Sequence, residues 1–204
     1  MTLLNIYGIA DAAPATQVRG AMGEPVRSLP CGPLFLLAGE LESAPPLSAD
    51  CLRAHDAAVR RLAQACPALL PVRFGSAVPS VDVSDRIAEL SEALEIVRGR
   101  EQMTLRVYAE AREPERTSGT AYLESLRRAR AVPEIAPLRA ALAPLIRAER
   151  TEPHGQSLVA SVYHLIDRGR AAEYLRKVAE VPLEVRVSAS GPWPAWSFAP
   201  EAVR

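Results

Sequence analysis

The chain has 204 residues, 49% of them hydrophobic, with 24 basic side chains against 24 acidic ones. That is a globular mixture and not a disordered one. Balanced charge supplies no long-range field toward DNA, RNA or an anionic membrane, so neither nucleic acid nor membrane is an expected partner.

No stretch approaches the roughly 18 apolar residues of a spanning helix. The opening MTLLNIYGIADAAP lacks a basic leader and breaks its apolar run at Asn5 and Asp11, so a cytoplasmic location is expected. Cys31, Cys51 and Cys66 are odd in number and show no CxxC or CxxH spacing, which argues against a disulfide framework or a zinc site.

In chain order, Leu3 to Ile9 reads as a strand, followed by a Gly/Pro-bearing segment from Ala12 to Pro33 and a second strand in LFLLAGEL from Leu34. Ser48 is a candidate helix N-cap. After it, Leu52, His55, Val59, Leu62 and Cys66 recur at helical spacing, until Pro67 and Pro71 end the helix. PVRFG, Pro71 to Gly75, reads as a strand. A second helix, capped by Asp82 or Ser84, carries Val83, Ile87, Leu90, Leu94 and Val97 on one stripe, and Gly99 stands where a helix C-cap commonly sits.

Gly99 is the expected boundary between an N-terminal α+β domain, residues 1–98, and a second domain, 99–190. The second half opens with alternation that buries Met103, Leu105 and Val107 on one face. A helical stretch from about Ser118 to Arg150 follows, which Pro133, Pro137 and Pro144 should divide into two helices. A short extended piece near Thr151, a strand from Ser157 to Asp167, a helix from Gly169 to Glu180 and a strand over Leu183 to Ala189 complete the half. Strand, helix, two strands, helix, strand is the order of a ferredoxin-like antiparallel sheet with helices on one face. Residues 191–204 read as an extended Pro/Trp-rich tail lying on the body.

The census of chemistry is sparse. His55, His154 and His164 are scattered, with no metal-binding helix pair and no local nucleophile triad, and neither GxGxxG nor GxxxxGK[ST] occurs. No enzyme activity, cofactor or metal is expected. His55 and His164 read as packed histidines before they read as a base or ligand. Arg73 invites two readings: a guanidinium that holds an anionic ligand or a partner's acidic side chain, or one that joins the two halves through an ion pair. The tail string GPWPAWSF gathers both tryptophans and one of the three phenylalanines, Trp193, Trp196 and Phe198, around Pro192 and Pro194. Large aromatic groups of this kind either seal the protein's own core or anchor a partner.

LPVRFGSAV at Leu70 to Val78 and GPWPAWSF at Gly191 to Phe198, with EQMTLRVYAE at Glu101, SGTAYL at Ser118 and LNIYGIA at Leu4 in the same order, resemble the GvpF/GvpL family of gas vesicle proteins. Gln102, Ser190 and the pair Ala195-Trp196 depart from the family pattern, which usually has Trp, Thr and Pro-Tyr there. The resemblance implies a two-domain α+β protein that supports gas vesicle formation by binding the small hydrophobic shell protein, and possible contact with other gas vesicle accessory proteins. It marks Arg73, Phe74, Gly191, Pro192, Trp193, Pro194, Trp196 and Phe198 as the candidate partner surface. A ferredoxin-like regulatory module that binds a small anion is the alternative.

Overall fold

The computed structural model describes residues 2–108, 131–155 and 157–201. The chain divides into two compact units, one of residues up to Arg100 together with those from Trp193 onward, the other from Glu101 to Pro192.

The first unit is built on a sheet of β1 (Leu3–Ala10), β2 (Val26–Cys31), β3 (Leu34–Leu41), β4 (Leu69–Pro71) and β5 (Ala77–Val78), in the order β2-β3-β1-β4 with β5 also paired to β1. All its pairings are antiparallel. Between Ile6 and Gly8 the β1–β3 register gains one residue on β1, a bulge at Tyr7. In an unbroken strand Tyr7 and Ala10 would face opposite sides. The bulge turns both into the cluster that also holds Ala58, Val59 and Leu62 of α1 (Ala49–Ala65), and leaves Ile6 and Ile9 together on the other face, opposite Leu90 of α2 (Ile87–Val97). Gly8 permits the close approach of β4, since a Cβ there would stand 2.7 Å from Leu69 Cδ1 and 2.8 Å from the Leu70 carbonyl oxygen.

Ser48 caps α1 with its hydroxyl accepting from the Cys51 amide, and His55, Ala58, Val59 and Leu62 face inward. Leu52, expected on that stripe, is 54% exposed. The stretch 12–33 is more ordered than its Gly and Pro content suggests, since its end forms β2 on a hairpin with β3. PVRFG is no strand: β4 stops at Pro71, the chain turns through Gly75 at φ 97°, and pairing with β1 resumes only at Ala77. The Ser76 hydroxyl fixes this turn by donating to the Arg73 carbonyl.

In the second unit the strands are β6 (Arg100–Tyr108), β7 (Ile146–Pro153), β8 (Leu158–Asp167) and β9 (Arg186–Trp193), in the order β7-β8-β6-β9. The first strand in sequence thus lies between the third and the fourth, as a split βαβ arrangement requires. The helices α3 (Ala136–Leu142) and α4 (Ala171–Glu180) contribute Leu138, Leu142 and Tyr174 to a core with Met103, Leu105, Val107, Ala160 and Val162.

Three expectations change here. The predicted helical stretch lies partly at 109–130, outside the described residues. Beyond Leu142 the helix has ended, and Ile146 to Pro153 is an eight-residue strand, charge-rich because it forms the sheet's edge. The last strand runs later than Leu183 to Ala189 and takes in Gly191, Pro192 and Trp193. Beyond Trp193 the tail is not extended, for the amides of Phe198 and Ala199 both donate to the Ala195 carbonyl, closing a helical turn.

Candidate functional site

The motif LPVRFGSAV sits where the sheet edge breaks, and its residues part to two sides. Phe74 packs edge-on against the His55 ring, 5.5 Å between centroids, and His55 in turn stacks on Tyr7 at 4.9 Å. His55 Nε2 lies 2.9 Å from the Val72 carbonyl, which can only accept, so Nε2 carries the proton and Nδ1 is a bare lone pair with no partner. Burial lowers the His55 pKa from the usual value, and the Val72 bond only partly opposes it. This histidine is a neutral spacer that ties α1 to the motif.

Val72, Ser76 and Val78 of the same motif face the other side. With Ile6, Ile9, Leu36, Arg86, Leu90 and the segment Ser80–Val83 they line a cavity of about 400 Å³. Arg73 itself is exposed and forms no ion pair among the described residues.

Beneath the Tyr7 bulge lies a buried polar cluster. Tyr7 Oη donates to Glu24 Oε1 at 2.5 Å and accepts from the Ala21 amide, Asn5 Nδ2 donates to Tyr7 Oη at 2.7 Å, and Glu24 Oε2 accepts from the Met22 amide. Desolvation first, then the Glu24 bond, raises the Tyr7 phenol above its ordinary 10.0. The cluster pins residues 20–24 by their backbone and leaves the Met22 side chain 51% exposed. Sequence reading missed it, because Asn5 and Glu24 carry no motif.

The tail string divides at Trp193. Gly191 and Pro192 belong to β9, while Pro194, Ala195 and Phe198 are buried. Trp196 packs on the cluster of Tyr7, Leu37, Val59 and Leu62.

In the second unit, His164 is fully buried between Tyr174 Oη, 2.7 Å from Nδ1, and Glu149 Oε2, 2.8 Å from Nε2. Arg139 donates to both Glu149 oxygens, at 2.9 and 3.2 Å. The His164 hydrogen bond leads the Arg139 contacts in holding Glu149 down from 4.5 to about 2, against the effect of burial. Tyr174 is raised, by desolvation and then by the Glu149 charge. Both His164 nitrogens are engaged and the ring is fully buried, so this chain of bonds joins α3, β7, β8 and α4. Among the described residues no group of three or more metal-ligating side chains converges, and no helix is long and apolar enough to cross a membrane.

Two antiparallel sheets with flanking helices define a mixed α/β protein. A family model described as gas vesicle synthesis protein GvpL/GvpF matches residues 4–200, and the chain belongs to that family. It is similar to the crystal structure of the gas vesicle protein GvpF from Anabaena sp. PCC7120, at 18% identity over 98% of this chain and 97% of that one, with a TM-score of 0.71. It is also similar to that of GvpF from Microcystis aeruginosa, at 17% identity over 97% and 99%, with a TM-score of 0.76. Likeness at such identity shows a common fold. A search of curated proteins gave no match.

Proposed function

We propose that the protein is a non-catalytic assembly factor of the gas vesicle, working in the cytoplasm, that binds the small hydrophobic shell protein and supports its incorporation, alone or with other gas vesicle accessory proteins. Family membership sets the process. The observation that carries the binding mode is the exposure of Met22, Leu47 and Leu52, with Leu47 90% exposed, on a chain of zero net charge. Large apolar side chains held in water favour burial against an apolar partner. The Sγ of Cys51 lies 3.8 Å from Met22 Sδ, so the pinned loop and the first turn of α1 present these groups side by side. The tail and the Arg73-Phe74 turn belong to the same reading as supports of the binding unit.

Co-expression with the shell protein and pull-down tests it. The complex should persist from low salt to about 1 M, where the Debye length is only about 3 Å and exposed charge pairs are screened. Loss of the complex at moderate salt, or its absence at every salt, would overturn the reading.

A further inference from the structure

We propose that β7 is a self-association edge: two copies of this chain pair through it as antiparallel strands about a two-fold axis at Thr151, which joins their sheets into one. β7 is the outer strand in the order β7-β8-β6-β9, and among the described residues no strand pairs with its outer side. Such an edge offers unpaired amides and carbonyls to a further strand.

Which groups it offers follows from the register with β8. Arg150 lies opposite Tyr163 and Glu152 opposite Ser161, and in the same step the His154 amide donates to the Val159 carbonyl. Hydrogen-bonded pairs recur at every second residue of an antiparallel ladder, so Arg150, Glu152 and His154 direct their backbone groups to β8, while Glu149, Thr151 and Pro153 turn theirs outward. The missing N–H of Pro153 thus falls on the free side, where β8 loses nothing by it. Side chains divide by the same alternation. Glu149 and Thr151 stand opposite His164 and Val162 on the core face, whereas Arg150 and Glu152 share the other face and are both exposed. The Tyr163 hydroxyl donates to Glu152 Oε2 and holds the carboxylate there.

A two-fold axis makes an interface self-complementary, with every contact made twice. With the axis at Thr151, the two Thr151 residues exchange amide–carbonyl bonds, each Glu149 amide donates to the Pro153 carbonyl of the second copy, and each Arg150 stands directly opposite a Glu152. Opposite charges facing each other across a strand pair stabilise it, and like charges oppose it. The neighbouring symmetric registers are closed. An axis at Glu149, Arg150 or Glu152 sets a charge against its own copy, one at Pro153 has no donor to offer, and those nearer Ile146 meet the register shift at Arg147. The charges of β7 therefore select one register and one partner, a second copy of the same strand.

Sedimentation of the full chain from micromolar to millimolar concentration tests this, with Arg150→Glu, Glu152→Arg and the double swap beside wild type. Wild type should form a dimer. Each single swap sets like charges opposite each other in both pairs and should associate about tenfold more weakly or worse, while the double swap restores opposition and should recover the dimer. Circular dichroism checks that each variant is folded. In amide hydrogen exchange of wild type, Thr151 should gain protection as concentration rises, and Arg150 and Glu152, already bonded to β8, should not change; this pattern decides alone if a variant fails to fold. A wild type that stays monomeric throughout would overturn the proposal, as would a dimer that the single swaps leave intact or a folded double swap as weak as either single one.

Discussion

The Arg60 guanidinium lies 4.1 Å above the ring of Trp193, with its Nε 2.6 Å from Asp56 Oδ2 one turn earlier on α1. Asp56 fixes the cation, and the cation covers the indole. Five residues on, Phe198 is 4% exposed beside the fully buried Ala199. Phe198→Ala should therefore cost about 3 to 5 kcal/mol of stability, as removal of a buried phenyl ring does. Trp193→Ala should cost less, since its ring is only half-buried and an exposed cation–π contact is worth about 0.5 to 1 kcal/mol. Thermal unfolding of both variants beside a pull-down checks this. Unchanged melting with lost binding would mean that the tail touches the partner itself.

His55 is buried and its pKa is lowered. A group whose folded pKa is depressed supports stability above its unfolded value, near 6.5, and that support is lost as pH falls below it. Urea unfolding at pH 7.5, 6.5 and 5.5 should show declining stability, and His55→Phe should flatten the decline. An equal slope in the variant would remove His55 as its cause.

Glu149 works in a lower window. Its folded pKa of about 2 against the usual 4.5 places its contribution fully above pH 4.5, to be lost as the pH falls toward 2. Each unit of depression corresponds to about 1.4 kcal/mol, though with the side chain 30% exposed the realised gain is smaller. Glu149→Gln should reduce stability at pH 7 and lessen its further loss between pH 4.5 and 2. Matched acid titrations followed by circular dichroism decide it.

Two glycines separate two kinds of constraint. Gly8→Ala drives a methyl group into the Leu70 carbonyl and the Leu69 side chain, and should cost about 1 to 3 kcal/mol. At Gly75 a Cβ meets nothing within 4 Å, so Gly75→Ala pays only for its left-handed backbone, about 1 to 2 kcal/mol. Denaturant midpoints should rank the two, and Gly75→Asn, which tolerates that conformation, should recover part of the loss.

The helices were legible where local chemistry settles them. Ser48, the His55-Val59-Leu62 face and the left-handed Gly99 all act within a turn or two of their own position. The breaks in the sheet were not. PVRFG alternates like a strand, yet its interruption depends on Gly75 and on pairing with β1, sixty and more residues away in sequence. Likewise IRAERTEP is too charged to advertise itself, because an edge strand buries little. The cavity between Ile6, Ile9 and Leu90 could not be read from spacing at all. Ile6 and Ile9 share a face only through the bulge at Tyr7, which is a property of the β1–β3 register and not of either strand alone.

The chain leaves the first unit at Arg100 and returns to it at Trp193. On the ribosome, the middle of the chain is therefore finished before its beginning is. The segment Glu101 to Pro192 is translated between α1 and the two tryptophans, Trp193 and Trp196, that pack beside it. Until the GPWPAWSF string is made, the apolar groups beside α1 stand open in the nascent polypeptide, and the string acts as their seal. A chain cut short anywhere in the second unit would lack Trp193 and Trp196, and its first unit would stay unclosed.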